Sequence, residues 1–162
     1  MKRITIGGKE YTFKFSVAAS LYHECTETIL DGYAMSGKMS ASAEGNDAET
    51  MLKELVSTMA NIPTRATILF YSGLLEYHGK RGDGSINSLA DAEELLTDYL
   101  EEKQDENGNW TISFSDVLSE MMDIMYEDNF FGLIGLDKIT RQTEDKPKRR
   151  KRSKAGESTS TN

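Results

Sequence analysis

Over the first fifteen positions apolar and polar residues alternate. Ile4 and Ile6 flank Thr5, and Tyr11, Phe13 and Phe15 are separated by Thr12 and Lys14, with Gly7-Gly8 between the two runs. A period of two marks a strand, and two adjacent glycines, both free to take positive φ, suit the two-residue turn of a β-hairpin. A turn at 7–8 sets residue 6 opposite 9 and residue 4 opposite 11. That gathers Ile4, Ile6, Tyr11, Phe13 and Phe15 on one face. A lone hairpin is barely stable in water, so this face predicts a cover of helices.

From Ser16 the period lengthens to that of a helix. Ser16 is a fitting cap for a helix with Ala18, Leu21, Tyr22, Cys25 and Ile29 at its apolar positions. Residues 31–46, rich in Gly, Ser, Ala and Met, show no period and read as a long flexible loop. Asn46 with Glu49 marks a new start. Behind it Ala48, Met51, Leu52, Leu55, Val56 and Met59 recur at i, i+3, i+4, i+7, i+8 and i+11. Ile62-Pro63 is expected to end that helix and open the next. Residues 63–79 are the most apolar continuous stretch, with Ala66, Ile68, Leu69, Phe70, Tyr71, Leu74, Leu75 and Tyr77 spread around the circumference. A helix apolar all round is buried on several sides. It predicts a central helix opened by Pro63, closed by Gly79 and closely approached by a neighbour at Gly73.

Ser88 with Asp91 starts a helix with Leu89, Ala92, Leu95, Leu96, Tyr99 and Leu100 on one side. Asp91, Glu93, Glu94, Asp98, Glu101 and Glu102 occupy the other. Ser113 with Asp116 starts another, striped by Phe114, Val117, Leu118, Met121, Met122 and Met125 and followed by Phe130-Phe131. The expected fold is mainly α: an N-terminal two-stranded β-hairpin, then about five helices packed round a central apolar helix. One domain is expected over 1–139, with the hairpin at 3–15 and the flexible loop at 31–46. A disordered basic tail is expected over 140–162, where the chain is polar, charged and without aromatics. There is no internal repeat.

At 162 residues the chain suits one domain with a core of its own. Its net charge of −8 is unevenly spread. Residues 1–140 carry 11 basic and 24 acidic side chains, residues 141–162 carry 8 and 3, so an acidic body bears a basic tail. A single cysteine, Cys25, excludes an internal disulfide framework and fits a reducing cytoplasm. No stretch reads as a secretory signal or a membrane span.

Candidate chemistry is sparse. His23-Glu24-Cys25 lacks the second histidine of a zinc helix, because Glu27 stands where it would be. Cys25 with His23 or His78 has no oxyanion device beside it, and cysteine on an apolar helix face is ordinarily core. Arg81-Gly82-Asp83 matches an adhesion tripeptide, but in an acidic cytosolic chain it reads as chance. The chain is therefore expected to be no enzyme and to need no cofactor or metal. Met121, Met122, Met125, Phe130 and Phe131 are the candidates for partner binding, since methionine re-packs readily against helical partners; core packing fits them too. Lys148, Arg149, Arg150, Lys151 and Arg152, within the basic run 146–154, are the candidates for polyanion binding.

Two stretches carry a resemblance. Ile4-Thr-Ile-Gly-Gly-Lys-Glu-Tyr-Thr-Phe-Lys-Phe15 runs into a Ser/Ala-rich helix, and Tyr71-Ser-Gly-Leu-Leu-Glu-Tyr-His78 leads to Ser88 and an acidic helix. Over roughly residues 1–135 this order of elements resembles the tail assembly chaperones of long-tailed phages of Gram-positive hosts. The resemblance implies a non-enzymatic factor that binds and solubilises the tape measure protein and promotes tail tube assembly. Its partners would be the tape measure protein, the tail tube protein and further copies of itself. It would act in the host cytoplasm and be absent from the finished virion. The alternatives are an adaptor that binds nucleic acid through the basic tail, and another phage morphogenesis protein such as a head–tail connector.

Overall fold

The structure, a computed structural model, describes residues 1–44 and 48–138, with the backbone alone at 35–44, Met51 and Glu54. The expected disordered tail, Lys148–Arg152 within it, lies outside the described residues. Strands β1 (Lys2–Ile6) and β2 (Lys9–Phe13) pair antiparallel, with Ile4 opposite Tyr11 and Ile6 opposite Lys9, the register that the alternation predicts. Gly7 and Gly8 take φ of 60° and 74°, as a turn matched to the strand twist requires. Ile4, Ile6, Phe13 and Phe15 are buried.

Helices α1 (Val17–Leu21), α2 (His23–Glu44), α3 (Ala48–His78), α4 (Leu89–Glu101), α5 (Phe114–Glu127) and α6 (Phe130–Leu133) follow among the described residues. The fold is mainly helical behind a two-stranded hairpin, as expected, but the helix boundaries differ in three places. The first expected helix breaks at Tyr22, whose ψ of 106° turns the chain while its ring packs edge-on against Tyr71 at 5.2 Å. Residues 31–44 are not a loop; α2 runs through them. Ala34, Met35, Lys38, Met39, Ala41 and Ala43 are adequate helix formers, and a helix without an apolar stripe offers no period to read.

Third, Pro63 does not separate two helices but sits inside the 31-residue α3. Its ring removes one backbone donor and crowds the carbonyl four residues back, at a cost of about 3 kcal/mol. Burial of the next four turns outweighs that cost: Ala66, Leu69, Phe70 and Leu74 lie in the core.

α3 is the element the others share, touching α1, α2, α4, α5 and β2. The hairpin docks on it at Gly73. The Lys14 amide donates to the Gly73 carbonyl at 2.8 Å, and a Cβ at Gly73 would stand 3.0 Å from Phe13 Cδ1. Phe13 meets Phe70 edge-on, 4.8 Å between centroids. Ser88 with Asp91 and Ser113 with Asp116 form reciprocal capping boxes, as the sequence predicts. Between α5 and α6 the chain reverses at Asn129, whose φ of 52° is a conformation asparagine tolerates better than most residues. The reversal turns Phe130 and Phe131 back under the body.

Candidate protein-binding surface

The residues that suggest chemistry are held apart or already engaged. His23 is exposed and lies 3.7 Å from the Glu27 carboxylate. Cys25 is fully buried beside Ser72, and burial pushes its thiol up to about 11, opposed by the Ser72 hydroxyl. A thiol held there stays protonated and is a poor nucleophile. Among the described residues no group of three or more His, Cys, Asp or Glu side chains could hold a metal ion.

His78 is buried at the end of α3 and is engaged on both nitrogens. Nε2 accepts the Thr12 backbone N–H at 2.9 Å, and Nδ1 lies 2.9 Å from Asp83 Oδ2. An accepting Nε2 places the proton of the neutral ring on Nδ1, which therefore donates to Asp83. His78 ties the hairpin to the loop after α3, and neither nitrogen is free to act as a base. Asp83 Oδ1 accepts the Ser85 N–H at 2.9 Å. The Ser85 hydroxyl and backbone N–H, with His78 adding to them, lower the Asp83 carboxyl from its ordinary 3.8 to about 2.

A carboxyl depressed in the folded state adds stability above its unfolded pKa and loses it as pH falls through the folded one. Wild type should therefore melt above Asp83→Asn at pH 6, with the gap narrowing below about pH 4 and closing only below about pH 2. Circular dichroism melts across that range check this. A gap as wide at pH 2 as at pH 6 would mean that the carboxylate charge is not what holds the loop.

The five residues expected to bind partners are brought together, but mostly inward. Met121, Met125 and Phe130 are fully buried and Phe131 nearly so. Phe130 stacks near Phe15 at 5.5 Å, and Phe131 lies 4.7 Å from the ring of Tyr126. Met121 and Met125 face inward because α5 packs against α3, and the reversal at Asn129 folds Phe130 and Phe131 back against α5. Met122 alone reaches a groove of about 460 Å³, lined with Ile29 and Tyr33 of α2, Arg65 and Leu69 of α3, and Leu118 and Tyr126 of α5.

Among the described residues, a run of exposed apolar side chains lies elsewhere. Leu52, Leu55, Val56 and Met59, on the first half of α3, are between 44% and 61% exposed. Leu52 stands 18 residues before Phe70, and Val56 18 before Leu74, which is about five helical turns. The face that forms core in the second half of α3 thus continues past the body and meets solvent. α2 packs on the opposite side, where Glu24, Glu27, Thr28 and Asp31 face Asn61, Thr64, Arg65 and Ile68. Beyond Met59 the stripe leads to Pro63 and a second groove of about 280 Å³, lined by Thr67 of α3, Leu89, Glu93, Leu96 and Leu100 of α4, and Phe114.

No family model, curated protein or solved structure matches the chain. The surface has to be read from its own chemistry. Four exposed apolar side chains along one helix face make a patch on the order of 400 Å², the size of the largest patch on a typical monomer, and such patches are often functional. The sequence shows this stripe plainly, but its regular spacing reads as one more core face. Among the described residues no helix is long and apolar enough to cross a membrane.

Proposed function

We propose that the chain is a non-catalytic assembly chaperone that holds a long amphipathic helical client. By its resemblance to phage tail assembly chaperones, that client would be a tape measure protein awaiting the tail tube, in the host cytoplasm. The observation that supports the reading is the exposed stripe Leu52–Leu55–Val56–Met59. A helix carrying apolar residues at i, i+3, i+4 and i+7 is a natural occupant of such a face. The acidic body would keep the complex dispersed while apolar surface is shared. Self-association and contact with the tail tube protein belong to the same proposal.

The test is co-expression with a tape measure protein, a very long coiled-coil client of the proposed kind. The soluble fraction of that client should rise several-fold with the wild-type chain. It should fall back with Val56→Asp plus Met59→Asp. Because both side chains are exposed, the double variant should melt within about 0.5 kcal/mol of wild type. A client equally soluble with either chain would remove the stripe from the account, and a client equally insoluble without and with the wild type would remove the chaperone.

A further inference from the structure

From the same stripe we infer the chemistry of its occupant: an amphipathic helix of another protein with a basic flank, lying along α3 from Leu52 to Pro63 and into the groove between α3 and α4. The inference rests on the client-binding reading and specifies what the client segment must look like. The stripe supplies the apolar half of the contact. At Pro63 it meets a groove whose floor is Leu89, Leu96 and Leu100 and whose lip carries Glu93. Beyond that lip the outer side of α4 is exposed and acidic at Glu94, Asp98 and Glu101. Apolar positions on the partner fit the stripe and floor, and lysines or arginines beside them fit the lip. Complementary charge of this kind sets the orientation of a bound helix and rejects acidic competitors.

The same charges argue against the other occupants. A second copy would bring an identical acidic lip to the interface, and like charges brought together are unfavourable. The chain's own basic run 146–154 matches the lip, but residues 140–162 contain no large apolar side chain to fill the stripe. A basic amphipathic helix satisfies both halves.

Fluorescence anisotropy with the full chain tests this, using two labelled 18-residue helical peptides. Both carry the same leucine stripe, one flanked by lysines and the other by glutamates. The lysine peptide should bind at least ten-fold tighter. Val56→Asp should weaken it at least ten-fold, and Glu93→Lys with Glu94→Lys should erase the preference between the peptides. Equal affinity for the two peptides, or a Val56→Asp chain that binds as wild type does, overturns the inference. So does a wild type that sediments as an oligomer and falls to monomer on Val56→Asp, which makes a second copy the occupant. A full chain with Lys148–Arg152 replaced by glutamine that binds the lysine peptide ten-fold tighter also overturns it, by placing the tail on the lip. If the peptides behave as expected while the coiled-coil client stays insoluble, the inference stands and the chaperone reading fails. A client held soluble by a chain that does not distinguish the peptides gives the reverse.

Discussion

A Phe70→Asp chain should not fold, and Phe70→Ala should lose about 3–5 kcal/mol of stability. Phe70 is fully buried on α3, with Phe13 of the hairpin 4.8 Å away and Tyr99 of α4 6.3 Å away. One ring therefore joins three elements far apart in sequence. Truncation to alanine removes its transfer free energy and leaves a cavity between elements that can close only by shifting against one another. A carboxylate at the same place would be fully buried among aromatic rings, and burying an unpaired charge costs several kcal/mol beyond the lost packing. Against a typical total of 5–15 kcal/mol, that is enough to unfold the chain. Far-UV circular dichroism and urea titration should show alanine with a lowered midpoint and aspartate with no cooperative transition. A soluble Phe70→Asp protein with native helix content would put this face on the surface and remove α3 from the centre of the fold.

That outcome contrasts with the one expected at Val56 and Met59, on the same side of the same helix. Periodicity cannot distinguish them, because a stripe that faces a core and one that faces a partner obey the same spacing. The hairpin was legible because alternation and a Gly-Gly turn fix its register locally. The starts of α4 and α5 were legible because a serine and an aspartate three residues on satisfy each other's backbone. Where tertiary packing decides, local rules mislead. Pro63 has the local signature of a helix start, yet the packing of residues 66–78 holds the helix through it. Residues 31–44 lack the stripe that makes a helix visible. The inward placement of Phe130 and Phe131 turns on one backbone angle at Asn129, which no apolar pattern announces. The candidate surface was thus visible as a pattern, while its exposure followed only from where α2 and the hairpin sit.

Gly82→Ala should cost about 3 kcal/mol, the upper end of the common range for a single substitution, although it lies in an exposed loop after α3. Its cause is contact rather than conformational strain. A Cβ at Gly82 would stand 1.9 Å from the Tyr77 carbonyl oxygen and 2.2 Å from the carbonyl carbon, both in the last turn of α3. Neither atom can rotate away, so the loop must lift. It is held down by Asp83 N–H to the Tyr77 carbonyl and Ile86 N–H to the His78 carbonyl, each at 2.9 Å, and by the His78–Asp83 contact. Lifting it uncovers Ile86 and releases His78, which in turn loosens the Thr12 amide of the hairpin. Gly84→Ala is the control. Gly84 has φ of 69° and open space around a Cβ, so the cost there is backbone conformation alone, roughly 1–2 kcal/mol. Urea midpoints should fall about twice as far for Gly82→Ala as for Gly84→Ala, and the His78 ring proton resonances should shift only in the former. Equal midpoint shifts with unmoved His78 resonances would mean that the loop gives way freely at 82. If the larger shift is found, Arg81-Gly82-Asp83 has a structural explanation: the glycine lets the loop lie against α3, and the aspartate is turned inward to His78.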